Sequence, residues 1–203
     1  MGLFKAIYIK ISRLRRKRQL YLPFYRYALI FSCAGEEERE EQYSAIKNLP
    51  RPVSVCGKET PKNLNMISYG QLDDLHDNSA GLLAIVNCCK VILGASEEDI
   101  MKESAERVLW FVYFCNKEVE RINKLFEAIK PHFDSEEKQA GVDRLKFGSF
   151  GILDWYARRM RITDQNEVRN VPWVRIYKCM KNDNELREYD RRLREVYKRK
   201  SNR

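Results

Sequence analysis

Asp73, Asp74, His76 and Asp77 are the one dense cluster of titratable groups around a histidine in this chain. Carboxylates beside an imidazole can shuttle protons or hold a metal, but both tasks need further groups converging from elsewhere. The sequence nominates none. The other histidine, His132, stands alone, and the six cysteines (Cys33, Cys56, Cys88, Cys89, Cys115, Cys179) contain no Cys-x-x-Cys pair and no zinc spacing. Cys88 and Cys89 lie inside an apolar run, where thiols act as small hydrophobes. No secretory signal opens the chain, which favours a reducing compartment and free, structural thiols. The glycines of GSFG, Gly148 and Gly151, lack the lysine and the strand-turn-helix setting of a phosphate loop. The reading is therefore no catalytic residue, no cofactor and no metal, and a protein that is not an enzyme. Asp73 and its neighbours are expected to be a solvated face with helix-end charges.

Charge is the stronger signal. The formal net charge is +9, which favours acidic partners. Residues 1–18 carry seven basic side chains and no acid, with Arg13, Arg15, Arg16, Lys17 and Arg18 as the dense part. The C-terminus repeats the theme with Arg191, Arg192, Arg194, Lys198 and Arg199, interleaved with tyrosines. Both clusters are candidate contacts to phosphates or an acidic protein face; the plainer reading is a solvated helix face with Glu–Arg pairs. Tyr21, Phe24, Tyr25 and Tyr27, together with Trp110, Trp155 and Trp173, are candidate subunit-interface aromatics, core packing being the ordinary alternative for the tryptophans.

The elements behind these side chains read as all-α, a helical domain preceded by an extended, partly irregular arm. Residues 1–47 are a basic and aromatic arm with an acidic patch at 36–41. Residues 20–33 are too short to span a bilayer and are interrupted by Pro23 and Arg26; Ala6 spoils the myristoylation pattern opened by Gly2. Three prolines in residues 48–65 suggest a linker. The region before residue 60 is expected to order only in an assembly. Residues 66–203 are the helical domain. Ser68 and Gln71 have capping-box spacing, residues 82–93 are apolar nearly all round with Gly94 as a stop, and Ser96 caps a short turn. Residues 104–129 make the best helix, with Val108, Phe111, Cys115 and Ile122 on one face. Residues 150–160 are helical, Thr163 caps the next turn, and Pro172 suits a first helical position. No internal repeat is detectable.

From Leu64 onward the phrases NLNMISYGQLDDLHD, GASEEDI, LDWYARRMRI, TDQNEV and VPWVRIYKCM resemble virion proteins of tailed bacteriophages, in particular the crAss-like phages of Bacteroides and their relatives. The resemblance covers about two thirds of the chain; residues 1–60 match nothing in that pattern. It implies a head–tail connector, ring or tail-associated component, located in the virion and in host cytoplasm during assembly. Its partners would be copies of itself and portal or tail proteins, with the DNA backbone as a further candidate. Two alternatives remain, a peripheral membrane-binding matrix-type protein and a basic nucleic-acid-binding regulator.

Overall fold

A computed structural model describes residues 19–33, 44–76, 81–129 and 133–201. The fold is all-α. In chain order the described elements are α1 (Phe24–Ser32), a hairpin of β1 (Ser54–Val55) and β2 (Lys58–Glu59), α2 (Tyr69–Leu75), α3 (Leu82–Leu93), α4 (Glu97–Lys102), α5 (Ala105–Ala128), α6 (Ser135–Gln139), a 3₁₀ turn (Val142–Arg144), α7 (Gly148–Met160), α8 (Gln165–Arg169) and α9 (Trp173–Ser201). The described residues fall into two compact units, one within Met1–Leu64 and Leu75–Glu118, the other within Asn65–Asp74 and Val119–Arg203.

In the first unit, the flank of α1 pairs with the flank of α5. The Phe24 N–H donates to the Glu103 carbonyl (2.7 Å), and the Ala105 N–H to the Leu22 carbonyl (2.9 Å). The Glu106 N–H reaches the Leu20 carbonyl at 2.7 Å. The first N–H groups of a helix have no partner within it, so this pairing satisfies donors that water or a cap would otherwise take. Pro23 and Ser104 face each other at the centre of the bridge. That position uses neither residue's N–H, which is why a proline fits. Phe24 and Tyr27 then enter the core one turn apart, along with Ile100 of α4 and Ala105, Val108 and Phe111 of α5. Burial pushes the Tyr27 hydroxyl up to about 12.

The second unit is built the same way, although no repeat is visible in the sequence. The Tyr69 N–H donates to the Val171 carbonyl (2.8 Å) and the Trp173 N–H to the Ile67 carbonyl (3.3 Å), around an Ser68–Pro172 bridge. Tyr69 and Leu72 are buried as Phe24 and Tyr27 are, Val168 as Ile100, and Trp173 and Ile176 as Ala105 and Val108. The order also matches: α3 ends on Gly94 in the left-handed region (φ 61°) and α7 on Arg161 (φ 56°). Each is followed by a capped short helix, a bridge residue and a long helix. Ser96, Ile100, Ser104 and Ala105 correspond to Asp164, Val168, Pro172 and Trp173.

Local expectations fare well where the signal is a cap. The Ser68 hydroxyl accepts from the Gln71 N–H (3.1 Å) and the Gln71 side chain from the Ser68 N–H (3.0 Å). Ser96 accepts from the Asp99 N–H at 3.1 Å. Asp164 rather than Thr163 caps α8, accepting from the Asn166 N–H, because a carboxylate at that position reaches the free donor. Pro172 precedes α9 instead of opening it. Helix α3 is not buried all round: Leu82 and Leu83 are exposed.

Two larger expectations are overturned for the described residues. The aromatic stretch 24–32 is a helix, not an extended arm, because Pro23 sets a helix start and the apolar residues recur at helical spacing. Residues 48–65 are not a free linker. The hairpin turns on Cys56 (φ 50°) and Gly57 (φ 70°), the positive-φ pair that a two-residue hairpin loop needs. Its Cys56 N–H donates to the Glu103 carboxylate (2.8 Å), and Val55, Thr60 and Leu64 are buried. Arg51 further ties the segment by donating to the Thr60 carbonyl at 2.9 Å.

The Glu103 carboxylate is 13% exposed and accepts from both the Cys56 and Ser104 N–H groups. Glu103→Ala leaves both donors without it and is expected to cost about 1.5–3 kcal/mol. Thermal melting together with limited trypsinolysis checks this: cleavage after Lys58 and Lys62, slow in the parent, should become fast in the variant.

Candidate partner-binding surfaces

The acidic cluster that could have done chemistry is engaged structurally. Asp73 and Asp74 receive the two ends of the Arg169 guanidinium at 2.9 and 2.6 Å. Arg169 lies so close over Gly70 that a Cβ there would meet its Cβ and carbonyl oxygen at 3.0 Å, so a larger residue would push on the arginine that the two carboxylates share. His76 is exposed; Asp77 and His132 lie outside the described residues.

The thiols fit the same picture. Cys88, Cys89 and Cys115 are buried in the first unit, and no disulfide joins any of the six cysteines. A hydrogen bond with Cys88 and then burial raise the Cys115 thiol well above its ordinary range. Burial does the same for Cys89 and, joined by the Glu103 charge, pushes Cys56 up to about 11. A thiol held protonated is a poor nucleophile and a poor metal ligand, and no group of side chains suited to a metal occurs among the described residues.

The aromatic candidates divide by burial. Phe24, Tyr27 and Trp173 are buried within their own chain, so the subunit-interface expectation fails for them. Phe24 and Tyr27 stack in series (6.5 Å), and Trp173 packs against Phe126 (6.1 Å) and Tyr177 (6.2 Å). Trp110 and Trp155 are half-buried. Trp110 stacks on Phe114 at 5.5 Å, and the Arg159 guanidinium sits over Trp155 while pairing with Asp183. Tyr21 and Tyr25 remain exposed.

Four apolar surfaces of the described residues face solvent. In the first unit a groove with a cavity of about 460 Å³ runs between α1, α3 and α5, lined by Tyr27, Ala28, Phe31, Leu82, Ile85 and Val112 among others. On the outer side of α1, Tyr21, Tyr25, Leu29 and Ile30 are exposed. In the second unit Phe147 and Phe150 are exposed beside Trp155, and α9 carries a row of exposed apolar residues. Sequence reasoning missed Leu82 and Leu83, which sit in a run apolar enough to suggest full burial. It missed Phe147, which lies just before the stretch read as helical, and Phe150, which opens that stretch without any sign of which way it faces.

The basic candidates are half accessible to description. Arg13, Arg15, Arg16, Lys17 and Arg18 lie outside the described residues. Arg191 pairs with Glu188 at 2.6 Å, as the plainer reading expects. Arg192, Arg194, Lys198 and Arg199 are exposed. No helix of the described residues is long and apolar enough to cross a membrane.

With this geometry established, comparison with known proteins adds nothing: no protein-family model, no curated protein and no solved structure matches the chain.

The thiol assignment has a direct check. In the native protein at pH 8 a thiol-specific dye should label the exposed Cys33 rapidly. Cys88, Cys89 and Cys115 should be labelled only on unfolding, read residue by residue by peptide mass spectrometry.

Proposed function

We propose that this chain acts by binding rather than catalysis, as an oligomeric structural component of a tailed-phage particle. It would sit near the head–tail junction or tail, assembling with copies of itself and with neighbouring portal or tail proteins. The virion and, during assembly, the host cytoplasm are its proposed locations.

The observation that carries the assembly reading is α1. A helix apolar on all sides is stable in water only when it is covered on all sides. Phe24 and Tyr27 fill the first unit's core, yet Tyr25, Leu29 and Ile30 of the same helix are exposed, as is Tyr21 before it. Arg26 is the only charged residue in Phe24–Ser32, so the face two copies would share is almost wholly apolar. The virion part of the proposal is supported by the resemblance of the residues from Leu64 onward.

A second reading, contact with the DNA backbone, is favoured by the exposed Arg192, Arg194, Lys198 and Arg199 of α9. Such contacts would be indifferent to sequence, since the charges neutralise phosphates without reading bases.

Sedimentation of the purified chain tests the assembly reading. Concentration-dependent higher-order species are expected, and Tyr21→Asp with Tyr25→Asp and Leu82→Asp should reduce them to monomer without changing helicity. A parent chain that stays monomeric at all concentrations contradicts the proposal.

A further inference from the structure

The groove of the first unit is a slot walled by three helices. Ala28 and Phe31 of α1, Leu82 and Ile85 of α3, and Leu109 and Val112 of α5 line its cavity of about 460 Å³. On α1 and on α5 the lining residues recur at intervals of three and four, so each helix turns one stripe toward the slot. None of the described lining residues carries a charge, which leaves nothing for a phosphate to bind. Ile85 and Val112 are half-buried within it. Such a slot fits an amphipathic helix whose apolar anchors stand three and four residues apart.

The chain carries a segment of that pattern beside the slot. Phe4, Ile7, Ile11 and Leu14 are spaced by three, four and three residues. On a helix they share a sector of about 80°, while Lys5, Lys10 and Arg13 fall outside it. The same stretch also alternates, at Ile7, Ile9 and Ile11, as a strand would. A docked strand needs an open sheet edge to accept its N–H groups, and the walls here are helices. The segment reaches the described chain at Gln19, five residues before Phe24, which itself lines the cavity. Between them lies a turn in which the Leu22 N–H donates to the Gln19 carbonyl (3.1 Å). Helices joined through so short a turn lie antiparallel. A helix over 4–14 is roughly 15 Å long, against roughly 12 Å for Phe24–Ser32.

We propose that the slot between α1, α3 and α5 is the docking site of this chain's own residues 4–14, folded back antiparallel to α1 as a helix. Phe4, Ile7, Ile11 and Leu14 enter the slot, and the lysines and arginines of the segment stay on its outer side. The inference goes beyond the assembly reading and does not depend on it, since the exposed face of α1 is its other side. The short connection decides between this chain and a second copy. A tethered segment meets its site at an effective concentration of about millimolar, far above that of free copies at micromolar concentration.

Amide hydrogen exchange of the full chain tests this. Amides of residues 5–14 should exchange roughly tenfold or more slowly than in a free peptide of residues 1–18, equally at low and high protein concentration. Phe4→Asp with Ile7→Asp should remove that protection while leaving the melting temperature of the helical units unchanged. Ala28→Trp, which fills the slot from α1, should remove it as well. The antiparallel placement brings the start of the chain to the far end of α1, where Cys33 is exposed. Gly2→Cys should therefore form a disulfide with Cys33 within one chain when a diazene oxidant such as diamide takes up the two electrons and two protons. Exchange of residues 5–14 at the rate of the free peptide overturns the inference. So does protection that appears only as concentration rises, or a Gly2→Cys disulfide that joins two chains, since a second copy then fills the slot. Protection that survives both Ala28→Trp and the Phe4→Asp with Ile7→Asp pair overturns it too. A chain that is monomeric at every concentration yet protected over 5–14 contradicts the assembly reading and upholds this one.

Discussion

Two pairs of reciprocal backbone hydrogen bonds hold this fold in register. In each unit one helix start is paired antiparallel with another, Phe24 and Ala105 donating across one bridge, Tyr69 and Trp173 across the other. The physical gain lies in the donors themselves. Leaving a buried helix terminus without acceptors costs about 1–3 kcal/mol per group, and here each terminus supplies the carbonyl that the other lacks. The arrangement also fixes which side chains enter the core. The residue after each bridge position and the one three further on point inward, giving Phe24 with Tyr27, Ala105 with Val108, Tyr69 with Leu72, and Trp173 with Ile176.

The same device explains which parts of the fold were legible in the sequence. Caps such as Ser68 with Gln71, Ser96, and the Gly94 stop depend on residues within one turn, so spacing alone reveals them. The bridges do not. Their central residues use no N–H in the pairing, so proline and serine serve equally well, and Pro23 with Ser104 shares no sequence with Ser68 and Pro172. The cores are matched in position but not in volume, a phenylalanine beside alanine in one unit and tyrosine beside tryptophan in the other. A repeat of backbone geometry is therefore silent at the level of residue identity. Residues 48–65 misled for a related reason: proline density reads as irregular chain, whereas Glu103, distant in sequence, supplies the acceptor that pins the hairpin.

The candidate surfaces were legible only in part. Aromatic richness marks residues 20–33 and the tryptophans, but richness does not say which side faces inward. Phe24, Tyr27 and Trp173 are absorbed by their own units, while Tyr21 and Tyr25 stay outside. The apolar spacing of α9 is readable from 186 to 197. That this stretch lies uncovered is visible only in the structure.

The central claim is that a pair of bridge amides organises each unit from within, and amide hydrogen exchange reads it most directly. First-turn helix amides ordinarily exchange nearly as fast as free peptide. If the bridges organise the fold, the amides of Phe24, Ala105, Tyr69 and Trp173 should be slowed on the order of a thousandfold or more, with the protection of buried residues such as Phe111 and Ile176. Exchange of these four amides at the rate of an unpaired helix terminus, with the helix interiors still protected, would contradict it.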